Sequence, residues 1–497
     1  MNFRLLSRIG VALLCIAEAT VAFSQTVPPP APTPEDQPSQ TQEQTPGQTQ
    51  EQTPAADAGQ AADSGEQNAA AGPPPMQTPA PLNIDSNSLE FSGAGARGSY
   101  LRGGVMVSAN YDDNLLSVSS PRVGGMSYTI APTIGVDISR PRLSLEVNYG
   151  GGYTFNQRFS AYDQSAQSAE IDLRYRLSPH VNLRIYDHFT LTTGFFNQLQ
   201  SGVSGLGSGV VQQPNLGVIT PFTRRTDDLG TAELTYQYSA SDIVGVSATG
   251  DVSSYGQPPA GAPALVDNQS EEGVAFYSHR FTPRNSSGIV YTFQRLTFDP
   301  VIETVDTHSM LLFHSIYLNR NTVVSFFAGP EYTQLNSEVV STSITLPYVM
   351  VTSVATSQDR WSAGGGASFD WKGRHTSIRA SGSRKVSDGG GLLTAVDLTS
   401  GIGAVRRQLT RNSTLEVGAL YASSHAIDAG ATTTYDDVKT VSGSLLWDQT
   451  IGRSITATLG YSRDYQQQTA AALPAQSINH NRGWITIAYH FSRPLGR

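Results

Sequence analysis

The sequence is poor in cysteine and in lysine. Its single cysteine is Cys15, and lysine occurs only at Lys372, Lys385 and Lys439, within a formal net charge of −9. A chain with one cysteine forms no intramolecular disulfide and no site of several thiolate ligands. An acidic chain with scattered lysines offers no polybasic patch, which argues against nucleic acid as a partner.

The sequence also lacks the patterns of helical membrane proteins and of common enzymes. No apolar run reaches the roughly 20 residues that a spanning helix needs. The phosphate-binding loop, the paired-histidine zinc motif and the serine nucleophile motif are all missing. We therefore expect a protein that is not an enzyme and that uses no cofactor and no metal ion.

The first residues are typical of an export signal. Arg4 and Arg8 precede a short apolar segment at residues 9–17, and Ala22 and Ser24 lie at the two positions that signal peptidase inspects. Because the apolar segment is too short to cross a membrane, we predict a cleaved signal peptide at residues 1–24 rather than an anchor.

The composition changes after the predicted signal peptide. Residues 25–92 are rich in proline, glutamine, threonine and alanine, and no lysine or arginine lies between Arg8 and Arg97. A segment so poor in apolar side chains gains too little from burial to order itself. We predict a disordered periplasmic spacer, which is either a tether for a periplasmic partner or an inert linker.

Residues 93–497 show a strict alternation of apolar and polar side chains. From Leu143 to Tyr149 the odd positions are apolar or aromatic and the even positions are polar, and Ile171 and Tyr175 repeat the pattern. Such alternation predicts strands with two unlike faces. Asp187 falls on an apolar parity, where we expect a β-bulge or the end of the membrane band.

Short and long connections alternate along the same region. Short turns are predicted at 140–142, 178–180, 240–242, 283–285, 319–321, 372–374, 410–412 and 451–453, and long loops at 193–224, 255–268, 336–357, 424–436 and 466–481. This asymmetry favours an outer-membrane barrel over a soluble sandwich, with the short turns in the periplasm. The predicted fold is all-β, a transmembrane antiparallel up-and-down β-barrel of about 18 strands.

Both ends of the barrel region carry a family resemblance. Residues 484–491 resemble the C-terminal strand of bacterial outer-membrane barrels, whose terminal aromatics form an assembly signal, here Tyr489 and Phe491. Residues 105–114 resemble the opening strand of β-barrel porins, including those found near exopolysaccharide systems. The resemblance implies a porin-like fold, recognition by the barrel assembly machinery, and contact with outer-membrane lipid and lipopolysaccharide.

Charged side chains on the polar parity form the candidate site. Arg174 and Arg184 are expected to face each other across one tight turn, with Arg176 one step nearer the periplasm. The candidate pore-lining residues are Arg174, Arg176, Arg184, Glu146, Glu170 and Asp172. Charges of both signs either orient solutes or neutralise one another. Because Glu170 and Asp172 lie higher on their strand, we predict an excess of positive charge, and a site for anionic solutes, at the periplasmic mouth.

The strand number predicts the function. Barrels of about 16 to 18 strands leave an aqueous channel, so we predict a porin-like channel for passive diffusion of small hydrophilic solutes. Two alternatives remain open. The spacer favours an outer-membrane component of a polysaccharide export system, and the long loops favour a non-conducting surface receptor or adhesin.

Overall fold

The computed structural model describes residues 98–193, 218–258, 262–345, 348–427, 435–470 and 473–495. The predicted signal peptide at 1–24 and spacer at 25–92 lie outside these residues. The described strands are β1 (Tyr100–Asp112), β2 (Gly125–Ser139), β3 (Leu143–Asn156), β4 (Gln164–Arg176), β5 (Val181–Thr193), β6 (Arg224–Gln237), β7 (Asp242–Tyr255), β8 (Asp267–Thr282), β9 (Asn285–Asp299), β10 (Glu303–Asn319), β11 (Thr322–Thr345), β12 (Tyr348–Lys372), β13 (Thr376–Gly389), β14 (Leu393–Thr410), β15 (Ser413–Ala426), β16 (Asp437–Ile451), β17 (Ile455–Ala470) and β18 (Leu473–Pro494). No helix within the described residues is long and apolar enough to cross a membrane.

The eighteen strands close into one barrel. Each strand pairs antiparallel with the next along the chain, and β1 also pairs with β18. This closing seam runs in unbroken register from the Tyr100–Pro494 pair to the Asp112–Arg482 pair. Closure leaves no strand edge unpaired, which a sheet within lipid requires. The predicted all-β, antiparallel up-and-down barrel of eighteen strands is confirmed.

The short turns all lie at one end of the barrel. Each of the eight predicted turns joins the two strands expected, beginning with β2 and β3. In that first turn Arg140 and Leu143 exchange backbone hydrogen bonds of 2.7 and 3.2 Å, which closes a tight hairpin. Tyr100 and Pro494 lie at the same end. We call it the turn end and the opposite one the loop end.

The predicted long loops are only partly correct. Residues 193–224, 255–268 and 424–436 do join strands, but the loops predicted at 336–357 and 466–481 are wrong. There β11 and β12 stay paired up to Thr345 and Tyr348, and β17 and β18 up to Ala470 and Leu473. The stretch 336–357 is rich in valine, threonine and serine, and valine and threonine favour strands. Polar side chains do not end a strand that has left the hydrocarbon band, because both of its faces can meet water.

The outer surface of the barrel is apolar. Val107, Ile134 and Ile485 are each 50–57% exposed on one parity of their strands. A continuous belt of this kind needs hydrocarbon around it, since water-soluble monomers rarely expose large apolar patches. Exposed aromatic rings accompany the belt at Tyr149, Tyr175, Tyr238, Tyr421, Tyr461, Tyr489 and Phe491. The barrel spans the outer membrane, as predicted.

Asp187 interrupts this belt. Its register partners, Ile171 on β4 and Gly230 on β6, belong to pairings that continue without a shift on both sides. The bulge expected there is therefore absent from these three described strands. Asp187 is also the seventh of the thirteen residues of β5, far from either strand end. The structure thus leaves an exposed carboxylate on the outer face at mid-height.

Candidate functional site

The inner wall of the barrel carries the candidate site. On β4 Ile171 and Tyr175 are exposed on the outer parity, which places Asp172 and Arg174 on the parity that faces the lumen. Alternation along each strand produces this sorting. All six predicted pore-lining residues lie on the lumen parity of their strands, namely Glu146, Glu170, Asp172, Arg174, Arg176 and Arg184.

Arg174 and Arg184 face each other, as predicted, but Asp172 lies between them. The two arginines are register partners across β4 and β5. One carboxylate oxygen of Asp172 lies 2.7 Å from Arg174 Nη2 and 3.1 Å from Arg184 Nη2. The repulsion between the opposed like charges is thereby reduced. One carboxylate offsets half of the charge of these two guanidinium groups, so Asp172 reduces the predicted excess of positive charge without removing it. The site for anionic solutes at the periplasmic mouth stays a prediction.

A second ion-pair group surrounds Glu146. Arg102 on β1 places Nη2 2.7 Å from Glu146 and 2.5 Å from Asp137 on β2. Asn148 donates a further hydrogen bond of 3.0 Å to Glu146. Sequence reasoning missed Arg102, although its position on the polar parity of the first strand was the available signal. The register of β1, β2 and β3 brings these side chains together.

Arg176 and Glu170 form no ion pair with the described residues of either group. Arg176 is exposed at the end of β4, and no acidic side chain among the described residues lies within salt-bridge distance of it. Glu170 lies one lumen-facing step above Asp172 and is the register partner of His188. Of the three predicted arginines, Arg176 is the one without an ion pair among the described residues.

The charged wall continues around the lumen near the turn end. Arg379 on β13 places Nε 2.7 Å from Asp370 on β12, and Arg406 is the register partner of Glu416 across β14 and β15. We give the name turn-end ring to Arg102, Glu146, Asp172, Arg174, Arg184, Asp370 and Arg379. Its charges are paired yet partly exposed, so this part of the inner wall is built to hold water.

Two segments at the loop end fold inward over the lumen. Residues 386–396, at the tip of the β13–β14 hairpin, are buried without exception, and residues 218–223 are buried except for Phe222. We call these two segments the cap. Sequence reasoning missed the cap, because a short apolar run beside a glycine cluster looks the same whether it continues a wall strand or turns into the lumen.

The hairpin tip reaches the far wall. Pairing between β12 and β13 stops at Gly365 and Arg384, which frees the tip to leave the sheet. The Val386 amide then donates to Glu331 Oε1 at 3.1 Å, and Gly391 accepts from the Val266 amide at 2.9 Å. Val266 precedes β8, five strands from β13, so the tip crosses part of the lumen instead of continuing its own wall strand.

Segment 218–223 is held by one glutamine. Gln466 on β17 accepts a 2.5 Å hydrogen bond from the Ile219 amide and donates one of 2.9 Å to the Ile219 carbonyl. Both residues are fully buried. Val218 packs against Leu393 and Val438, which joins the segment to the hairpin tip. The two parts of the cap therefore form one packed unit.

A buried ion pair supports this attachment. Arg482 on β18 forms a salt bridge with Asp464 on β17, and both side chains have no exposed surface. Asp464 lies on the same inner face as Gln466, two residues away. Removing one partner of a buried pair leaves an uncompensated charge, so this pair ties the wall beneath the cap to a single arrangement.

The predicted assembly residues lie at the closing seam. Tyr489 and Phe491 both face outward on β18, and Phe491 is the register partner of Gly103 on β1. A Cβ at position 103 would come within 2.6 Å of the Phe491 ring, so the ring covers the space that the glycine leaves open. Phe491 thus packs across the seam, while its recognition by assembly machinery stays a prediction.

Comparisons with known proteins give structural likeness only. No family model and no curated protein matches the chain. The ferric-catecholate import receptor Fiu of E. coli K12, in its open form, is similar at 9% identity and a TM-score of 0.41, over 78% of this chain and 81% of that one. OccK2 (OpdF) of Pseudomonas aeruginosa is similar at 9% identity and a TM-score of 0.39, over 80% of this chain and 98% of that one. P. aeruginosa OpdL is similar at 12% identity and a TM-score of 0.37, over 79% and 99%. At that level of similarity none of these names transfers a substrate to this chain.

Proposed function

We propose that the barrel is a channel for passive diffusion of small hydrophilic solutes, with the cap as its constriction. The observation that carries the proposal is the turn-end ring, a charged and partly exposed inner wall in a barrel of eighteen strands. Barrels of about 16 to 18 strands leave an aqueous lumen, whereas about eight strands fill it with side chains. Arg174, Arg176, Arg184, Glu146, Glu170 and Asp172 line the pore in this proposal.

The cap makes the channel narrow at the loop end. It contacts the wall at Glu331 on β11, at Val266 before β8 and at Gln466 on β17. A solute passes between these contacts or displaces the cap. We therefore expect small conductance steps from the native chain and larger ones when a contact is removed.

Planar-bilayer recording of the full chain tests the proposal. Gln466→Ala removes both hydrogen bonds to Ile219, and leaving buried backbone groups unsatisfied costs about 1–3 kcal/mol each. We expect larger or longer openings from this variant. Gln467→Ala, on the outer parity of the same strand, is the control and should behave as the native chain. Bilayers that stay sealed at all voltages with both the native chain and Gln466→Ala contradict the channel.

One observation favours the surface-receptor alternative. β11 and β12 have 24 and 25 residues, against 17 for the neighbouring β10, so their hairpin extends beyond the loop-end rim. A receptor would lose ligand binding when this hairpin is shortened, whereas a diffusion channel would keep its conductance. The polysaccharide-export alternative depends on the spacer at 25–92, outside the described residues.

The partners follow from the location of the barrel. We propose outer-membrane lipid and lipopolysaccharide around its apolar belt, the barrel assembly machinery as the factor that recognises Tyr489 and Phe491, and a periplasmic partner for the spacer. Absence of enzymatic activity, of a cofactor and of nucleic-acid binding stays a prediction.

A further inference from the structure

The cap brings a third carboxylate against two that belong to the wall. Asp227 on β6 and Asp251 on β7 face the lumen from neighbouring strands, and Asp388 comes from the hairpin tip. All three are buried, with 4%, 6% and 4% of their surface exposed. We call Asp227, Asp251 and Asp388 the acidic cluster.

Arg225 is the cation that faces the acidic cluster. Its Nε lies 2.6 Å from Asp227 Oδ1, and its guanidinium carbon lies 5.4 Å from the centre of the Tyr255 ring. Arg225 is itself only 3% exposed. With all three carboxylates ionised, this guanidinium would face three negative charges on side chains that are almost fully buried.

The groups around the cluster supply hydrogen bonds rather than positive charge. Ser253 donates to Asp227 at 2.7 Å, and Asn268 Nδ2 lies 3.5 Å from Asp388. Asp251 Oδ2 is buried and has no hydrogen-bond partner within the part of the chain that the structure describes. The other titratable groups packed near the cluster are His188 on β5, Asp228 on β6, Tyr255 on β7 and Glu272 on β8.

Asp388 belongs to the cap, so the ionisation of the acidic cluster affects how firmly the cap is held against the wall. A buried carboxylate oxygen that lacks a hydrogen-bond partner, here Asp251 Oδ2, favours uptake of a proton over ionisation. When the hairpin tip leaves the wall, water reaches the cluster and Asp388 moves away, so the carboxylates ionise. The capped state therefore binds more protons than the uncapped state, and the capped state gains stability as the pH falls.

We propose that the cap closes with uptake of a proton by the acidic cluster, so that acid stabilises the closed loop end and higher pH releases it. This regulation rests on the proposed channel function. A divalent cation is the alternative to a proton at three carboxylates, and the labelling test below distinguishes the two.

Single-channel recording of the full chain, from acidic to mildly alkaline buffer, is the first test. The ratio of closed to open time should rise as the pH falls, by up to about tenfold per pH unit for one proton. Asp251→Asn keeps the side-chain shape and removes one titrating group, so its ratio should vary less with pH and favour closure. Asp448→Asn, a lumen-parity carboxylate on β16 near the turn end, is the matched control and should keep the native pH profile.

Thiol labelling gives a second readout that does not depend on conduction. Thr394 is a buried cap residue, 2% exposed, and Asn321 lies exposed in a short turn. In chains with Cys15→Ser, the labelling rate of Thr394→Cys, divided by that of Asn321→Cys at the same pH, should fall as the pH falls. The ratio corrects for the ordinary pH dependence of thiol reactivity.

The outcomes separate the two proposals. A native pH profile in Asp251→Asn, or its loss in His188→Gln, overturns the role of the acidic cluster. Slower labelling of Thr394→Cys on adding calcium at constant pH would show a cation site and also overturn proton uptake. Silent bilayers together with pH-dependent labelling would support proton-linked closure of the cap and contradict the proposed channel instead.

Discussion

The two ends of the lumen use the same kinds of residue to opposite effect. At the turn end Arg174 is paired with Asp172 but remains 62% exposed. At the loop end Arg482 is paired with Asp464 and neither side chain has exposed surface. The first pair is screened by water and is worth little to stability, whereas the second is costly to break. The turn end is thus suited to acting on solutes and the loop end to holding one closed arrangement.

Two glycines, one at each end of the barrel, test this comparison. Their substitution should give the largest change in conductance. Gly391 in the cap and Gly452 in a short turn both have left-handed φ, at +83° and +69°. A Cβ at Gly391 would come within 2.7 Å of the Tyr255 ring, while one at Gly452 would meet nothing within 4 Å. Gly391→Ala and Gly452→Ala share a backbone cost of about 1–2 kcal/mol. Only Gly391→Ala adds a clash, and it should open the cap and raise conductance several-fold.

Equal conductance in the two glycine variants would show that the cap does not limit flow. Both variants should first be checked for a folded barrel by their heat-modifiable migration in gels.

Charge changes in the turn-end ring should have a smaller effect, on selectivity rather than on opening. Asp172→Asn leaves Arg174 and Arg184 without their shared carboxylate and should move the reversal potential toward anions. The double change Arg174→Ala with Arg184→Ala leaves Asp172 alone and should move it toward cations. The two shifts should have opposite signs, measured under a salt gradient, and both should shrink at high ionic strength. Shifts of the same sign would mean that these residues act through the shape of the wall.

The smallest expected effect is on the stability of the barrel and comes from a substitution on its outer surface. If lipid covers Asp187, Asp187→Leu removes a carboxylate from the hydrocarbon band and should stabilise the barrel by about 1 kcal/mol. Tyr149→Leu, within the apolar belt, is the comparison and should not stabilise it. Urea unfolding from lipid vesicles measures both. Destabilisation by Asp187→Leu would show that this carboxylate has a polar partner on the outside of the barrel.

Much of the barrel was predictable because strand periodicity and turn chemistry are local. The alternation from Leu143 to Tyr149 predicted both the strand and its lumen face, and a basic or polar triplet such as Arg140-Pro141-Arg142 marked a hairpin. The failures at 336–357 and 466–481 have one cause. A run of polar residues predicts a loop, but a paired strand outside the membrane is also polar on both faces.

The candidate site likewise has a part that the sequence predicted and a part that it could not predict. That Arg174 faces Arg184 follows from a turn of known length, so sequence alone placed them opposite each other. That Asp172 binds both depends on which rotamers the wall allows, and Arg102 reaches Glu146 only because β1 lies beside β2 once the barrel closes. Contacts between strands far apart in sequence are set by closure, not by spacing.

By itself, the sequence determined the strands, their inner and outer faces, the turn end and the barrel class, because each depends on residues within one hairpin. Only the tertiary structure decided that residues 218–223 and 386–396 meet inside the lumen, since their contacts with Gln466 and Val266 join segments more than a hundred residues apart. The tertiary structure also decided which charged side chains are buried together at the loop end. Asp227, Asp251 and Asp388 carry no shared sequence pattern, and they become one buried group only when the cap is packed against the wall.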